Sequence, residues 1–128
     1  VDDHVESAIY GTTLRGLPNH HRIEGCELVR EARTAPIYRM LSPDGSYPLL
    51  VEDRAGGASF PCEIYRIPRA RWDDKVANEP PGLVVGEIEL EDGTTAVAML
   101  ADPAWLAAQT GVQDITVHGG WAAYAATR

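Results

Sequence analysis

The sequence predicts an α+β fold: a small β-barrel of six or seven mostly antiparallel strands, with about three short helices at its ends. Three observations carry that expectation. Runs of β-forming residues outnumber helical ones and never fall into a β-α-β rhythm. Val84, Gly86, Ile88 and Leu90 alternate with Val85, Glu87 and Glu89 and lead straight into Asp92-Gly93, a hairpin signal. At 128 residues the chain can bury a core of its own and still form one domain, 1–128.

The elements follow in order. Ala8-Ile9-Tyr10 reads as a buried strand, and the turn after it leads through Leu17-Pro18-Asn19 to a short helix. Cys26-Glu27-Leu28-Val29-Arg30 and Ile37-Tyr38-Arg39-Met40-Leu41 are strand material, stopped by the turn cluster Ser42-Pro43-Asp44-Gly45. Tyr47-Pro48-Leu49-Leu50-Val51 follows, then a loop through Gly56-Gly57, then the β-rich run from Phe60 to Ile67. Pro61 lacks a ladder donor, which confines it to an edge or a strand start.

Pro68 opens a helix through Val76, with Trp72 and Val76 on one face; Pro80 and Pro81 forbid its continuation past Asn78-Glu79. Asp92-Gly93 is expected to make a type I′ turn, with Thr95, Val97 and Met99 returning antiparallel. Asp102-Pro103 caps and starts a helix that Thr110-Gly111 ends. The alanine-rich tail from Trp121 to Ala126 forms the last one.

Composition narrows the function. The formal net charge is −8, with 19 acids against 11 bases and no basic run, so neither nucleic acid nor an anionic membrane is an expected partner. Arg66, Arg69 and Arg71 stand near Asp73 and Asp74 and read as a solvated surface. No stretch approaches the roughly 18 apolar residues of a bilayer span. Val1-Asp2-Asp3-His4 is acidic where a signal peptide would be basic, and no Met opens the chain, as in a processed or trimmed protein. Cytoplasm is the expected location. Cys26 and Cys62 are too few for a disulfide framework and read as buried free thiols.

Chemistry centres on the turn Tyr10-Gly11-Thr12-Thr13-Leu14-Arg15-Gly16. Between its glycines lie two hydroxyls and several amides with no evident ladder partner, a seat for a carboxylate or other small anion. An ordinary strand-to-helix connection is the alternative. No generic motif competes. His4, His20, His21 and His118 lack metal-ligand spacing, and His20 and His21 point to opposite sides of one element. No P-loop, dinucleotide fingerprint or nucleophile elbow is present, so no metal and no cofactor is expected.

Tyr10-Gly11-Thr12-Thr13-Leu14 with Gly16-Leu17-Pro18 resembles the first loop of the γ-glutamylcyclotransferase-like superfamily. Three further stretches resemble the C-terminal domain of allophanate hydrolase more narrowly. They are Arg33-Thr34-Ala35-Pro36-Ile37-Tyr38-Arg39, Gly86-Glu87-Ile88-Glu89-Leu90-Glu91-Asp92-Gly93, and Asp114-Ile115-Thr116-Val117-His118-Gly119-Gly120-Trp121 with Tyr124 behind it. The resemblance implies a six-stranded barrel with a cavity mouthed by the Tyr10 to Leu14 loop. It further implies a small carboxylated amide or carbamate as substrate, held by loop amides and processed with a glutamate as general acid/base. γ-Glutamyl cyclotransfer is the alternative activity, and a non-catalytic module serving a separate amidase subunit is the alternative role. Allophanate hydrolase domains commonly carry a histidine where Thr13 stands here.

Glu79, just before Pro80-Pro81, is the acid/base candidate that the resemblance selects; a solvent-facing glutamate at a helix end is the alternative. Glu63 is the second candidate, sharing a strand face with Tyr65, with solvent its expected surroundings. Tyr38 and Tyr65 could donate to a bound carboxyl, or simply fill the core. Asp114 is expected to accept from the Gly119-Gly120 amides, with Trp121 anchoring the tail.

Overall fold

The computed structural model describes residues 3–128; Val1 and Asp2, which open the acidic stretch noted above, lie outside them. Among the described residues the architecture is α+β and mostly antiparallel, with eight strands in two sheets and three short helices. Strand β1 (His4–Ile9) lies between β5 (Pro61–Pro68), antiparallel to it, and β7 (Thr95–Ala101), parallel to it through Ser7 and Val97. With β2 (Glu27–Arg33) outside β5 and β6 (Leu83–Glu89) outside β7, the order is β2-β5-β1-β7-β6. A second sheet has the order β4-β3-β8, formed by Leu49–Glu52, Tyr38–Ser42 and Gln113–Asp114.

The expected barrel is therefore not closed. Closure needs every strand bonded on both sides, and β2 and β6 remain edges along most of their length. They meet at one corner only. Thr34 bridges Leu90, the Ala35 amide donates to Glu89 O at 2.9 Å, and the Glu91 amide donates to Arg33 O at 3.0 Å. The three-stranded sheet covers the remaining opening. Tyr38, Met40 and Leu50 from it pack on Ala8, Ile64, Ile88 and Ala98 from the larger sheet, with Phe60, Trp121 and Tyr124 completing the core.

The opposite face of the larger sheet carries helix α1 (Arg69–Ala77) and a 3-10 turn at His20–Ile23. Val5, Ile9, Tyr65, Ile67 and Met99 meet Trp72, Ile23 and Leu14 there. Trp72 faces inward at helical spacing, as read, but Pro68 is the residue before α1 rather than its first turn. Arg71 is no free surface cation: it donates to Glu24 O at 2.7 Å and Arg22 O at 2.8 Å, and clamps the turn beneath it. Cys62 is buried, whereas Cys26 is only half-buried; both are free thiols.

Three local expectations are corrected. The Asp92-Gly93 hairpin is not type I′, which needs two residues of positive φ. Gly93 has φ +87°, but no residue other than glycine takes a positive φ among the described residues. Gly93 N instead donates to Leu90 O at 3.0 Å and Leu90 N to Thr94 O at 2.8 Å, a type I turn closed by a glycine bulge. Val84 and Val85 are both exposed on the β6 edge, so the alternation buries only Ile88 and Leu90. Asp114 accepts from the Thr116 amide (2.9 Å) and Arg39 Nε (2.6 Å), not from Gly119-Gly120. The latter pair, at φ +82° and +155°, turns the chain into helix α3 (Trp121–Ala125), while α2 (Pro103–Ala107) is capped by Asp102 accepting from Ala104 N.

Candidate active site

Where β1 ends, its chain turns out of the sheet beside the start of β4 and the end of α1. The three segments enclose a hollow with room for water-sized spheres over about 40 Å³, enough for about three waters or a few ligand atoms. Its wall includes Tyr10, Gly11, Thr12 and Thr13 from the loop, Pro48 from the β4 approach, and Lys75 and Glu79 from α1 and its exit.

The loop is held from behind. Leu14 N donates to Gly11 O (3.1 Å), Asn19 N to Thr12 O (3.0 Å) and Asn19 Nδ2 to Thr12 Oγ1 (2.9 Å), while a His20 ring nitrogen bonds Thr13 O at 3.0 Å. These bonds use the loop's carbonyls. Its amides at Gly11, Thr12 and Thr13 donate to no acceptor among the described residues. A row of spare donors in a wall is what an anion site requires. Gly11 is there for closeness rather than for an unusual φ: a Cβ on it would stand 2.8 Å from Pro48 Cγ. Gly16, at φ +82°, is the loop's left-handed glycine.

Lys75 and Glu79 form an ion pair four residues apart, with side chains only 5% and 15% exposed. The Lys75 ammonium also lies over the Trp72 ring, 5.5 Å from its centroid. Across the hollow the Tyr10 hydroxyl donates to Met99 O at 2.5 Å. Burial first, and then the charge of Glu79, hold that phenol well above its ordinary value, against a smaller lowering by the Leu50 amide. Tyr10 therefore stays neutral beside the pair.

Five of the residues singled out in sequence thus share one wall: Tyr10, Gly11, Thr12, Thr13 and Glu79. The other three do not join them. Leu14 turns into the core under α1. Tyr38 accepts from Glu89 N at 2.8 Å and lines a separate groove with Leu50, Glu52 and Leu106. Tyr65 donates to Glu63 Oε1 at 2.9 Å, and burial, followed by that carboxylate, pushes its phenol up. Glu63 is not solvated as expected. Its side chain is 14% exposed and accepts from the Arg15 amide (3.1 Å) as well as from Tyr65. Lys75 was missed in the sequence because lysines are rarely buried; its spacing of four before Glu79 was the available signal.

The family model for the allophanate hydrolase C-terminal domain matches residues 5–126. The chain belongs to that family. The allophanate hydrolase C-terminal domain of this chain is 27% identical to part of urea amidolyase from Saccharomyces cerevisiae, over 94% of this chain and 7% of that protein. It thus spans about 7% of the length of that curated relative. A crystal structure of a uropathogenic E. coli-specific protein superposes with a TM-score of 0.85 and 31% identity, covering 98% of both chains. An AIG2-like protein of Mus musculus shares the fold at a TM-score of 0.55 and 19% identity over 82% of this chain and 84% of that one. Among the described residues, no helix is long and apolar enough to cross a membrane.

Proposed function

We propose that this domain is a small-molecule enzyme that binds a carboxylated amide or carbamate in the hollow and acts on it with Glu79 as general acid/base. One observation carries the reading: Gly11, Thr12 and Thr13, whose amides are spare, line the same small hollow as Glu79. The amides hold the ligand's carboxylate. Glu79 relays a proton from solvent to the substrate nitrogen as the N–C bond breaks. For a carboxylated carbamate that step releases CO₂ and leaves the nitrogen protonated. The limited interior favours such a compact substrate over a γ-glutamyl amine, whose cyclotransfer is the other reaction supported by the fold.

A second reading has its own support. The matching region is a minor part of the far longer urea amidolyase, so the domain could serve a separate amidase as a non-catalytic binding module. The test supplies the purified domain with γ-glutamyl amino acids, and separately with an amidase generating the carbamate from allophanate. CO₂ or 5-oxoproline release that is lost in Glu79→Gln, with ligand binding retained, supports the enzyme. No turnover of either substrate, together with stable association with the amidase, supports the module.

A further inference from the structure

We propose that Lys75 sets the ligand class of this hollow: its ammonium leaves Glu79 for the carboxylate of the incoming molecule, so that only a carboxylate-bearing ligand frees Glu79 to act. The inference rests on the reading of the hollow as a carboxylate site. Lys75 is almost fully buried, yet it bonds one acceptor, Glu79, and two of the three donors of its ammonium have no partner among the described residues. Buried donors left unspent are costly unless a ligand or water takes them, and Lys75 lines the hollow. Trp72 closes off one side of the ammonium, so its free donors are limited to the other directions.

The rest of the wall points the same way. The three loop amides add donors, and Glu79 is the one acid among the lining residues. The other ionisable groups there, Tyr10 and Tyr47, already donate to Met99 O and Pro81 O. The wall holds a single carboxylate, and that carboxylate is paired with Lys75. A ligand carboxylate replaces Glu79 on Lys75 charge for charge. A neutral amide cannot, and it leaves the pair intact.

Calorimetric titration of the whole chain with malonate and glutarate, beside malonamide and glutaramide, tests this. The wild type is expected to bind a dicarboxylate in preference to its diamide. Lys75→Met should weaken that binding by at least about tenfold and Lys75→Arg by only a few fold. Glu79→Gln should tighten it severalfold, because the internal competitor for Lys75 is gone; a merely structural Lys75 gives no such gain. If Lys75→Met does not fold, judged by its thermal melt, the charge-balanced pair Lys75→Met/Glu79→Gln is compared with Glu79→Gln and the same loss is expected. Unchanged binding in the Lys75 variants, or weaker binding in Glu79→Gln, overturns this inference alone. Failure of the wild type to bind either dicarboxylate overturns the carboxylate reading beneath it.

Discussion

The backbone of Gly11 lies so close to the ring of Pro48 that a Cβ at residue 11 would stand 2.8 Å from Pro48 Cγ and 3.0 Å from Cδ. This contact joins the end of β1 to the approach of β4, and so sets the width of the hollow between them. Gly11→Ala should cost about 1–3 kcal/mol by overpacking and weaken ligand binding as the loop is pushed away. Because no positive φ is involved at residue 11, Pro48→Ala should recover most of the loss. Chemical denaturation of the two single variants and the double variant measures the coupling.

Removing one member of the Lys75–Glu79 pair leaves a nearly buried charge alone. Glu79→Ala should therefore destabilise by about 3 kcal/mol, whereas replacing both members by apolar residues of similar size should cost far less. Urea unfolding of Glu79→Ala, Lys75→Met and Lys75→Met/Glu79→Leu compares them. A double variant as unstable as the sum of the singles would show that the pair is not a unit.

Alkali should unfold the domain in two stages. Burial, opposed weakly by Arg30 and Arg33, pushes the Cys62 thiol up to about 11 from 9.0. The unfolded thiol then loses its proton first, so stability is undiminished below pH 9 and falls as pH rises from 9 toward 11, on the order of 2 kcal/mol. Tyr10 and Tyr65, raised above 10.0 chiefly by burial, extend the fall to higher pH. Melting temperature against pH should show the onset delayed to about pH 10 in Cys62→Ala, the ordinary range of a tyrosine. The same thiol should resist alkylation at pH 8 until the protein unfolds.

At acid pH the bond network of Asp114 should fail. Partial burial raises its carboxyl, but the Thr116 and Arg39 hydrogen bonds outweigh that and leave it below 3.8. Its contribution is complete above the ordinary value and disappears as pH falls through the lowered one. Both side chains are more than a third exposed, so Asp114→Asn should cost only about 1 kcal/mol at pH 7, and nothing once the pH has fallen through the lowered value. Loss of amide-exchange protection at Ile115, whose N–H donates to Met40 O at 2.8 Å, should accompany it.

Elements whose cause is local were legible in the chain itself. β-Rich composition marks β5 and alternation the inner end of β6, the prolines at 80 and 81 stop α1, Asp102-Pro103 starts α2, and the alanine-rich tail forms α3. Each rests on a preference that a residue carries wherever it stands. β8 escaped notice because its two residues become a strand only by pairing with Leu41 and Ser42. The solvent expected around Glu63 proved wrong because Arg15 folds over it from a loop 48 residues away.

By itself the sequence determined the fold class, the family, and a loop of donors after the first strand, because these depend on residue type and short-range spacing. Tertiary structure alone decided that the larger sheet closes at one corner only, that Tyr38 and Tyr65 spend their hydroxyls elsewhere, and that Lys75 enters the wall beside Glu79. Burial of a cation and the partner of a phenol are fixed by which surfaces meet across the core, and strand pairings separated by many residues settle that.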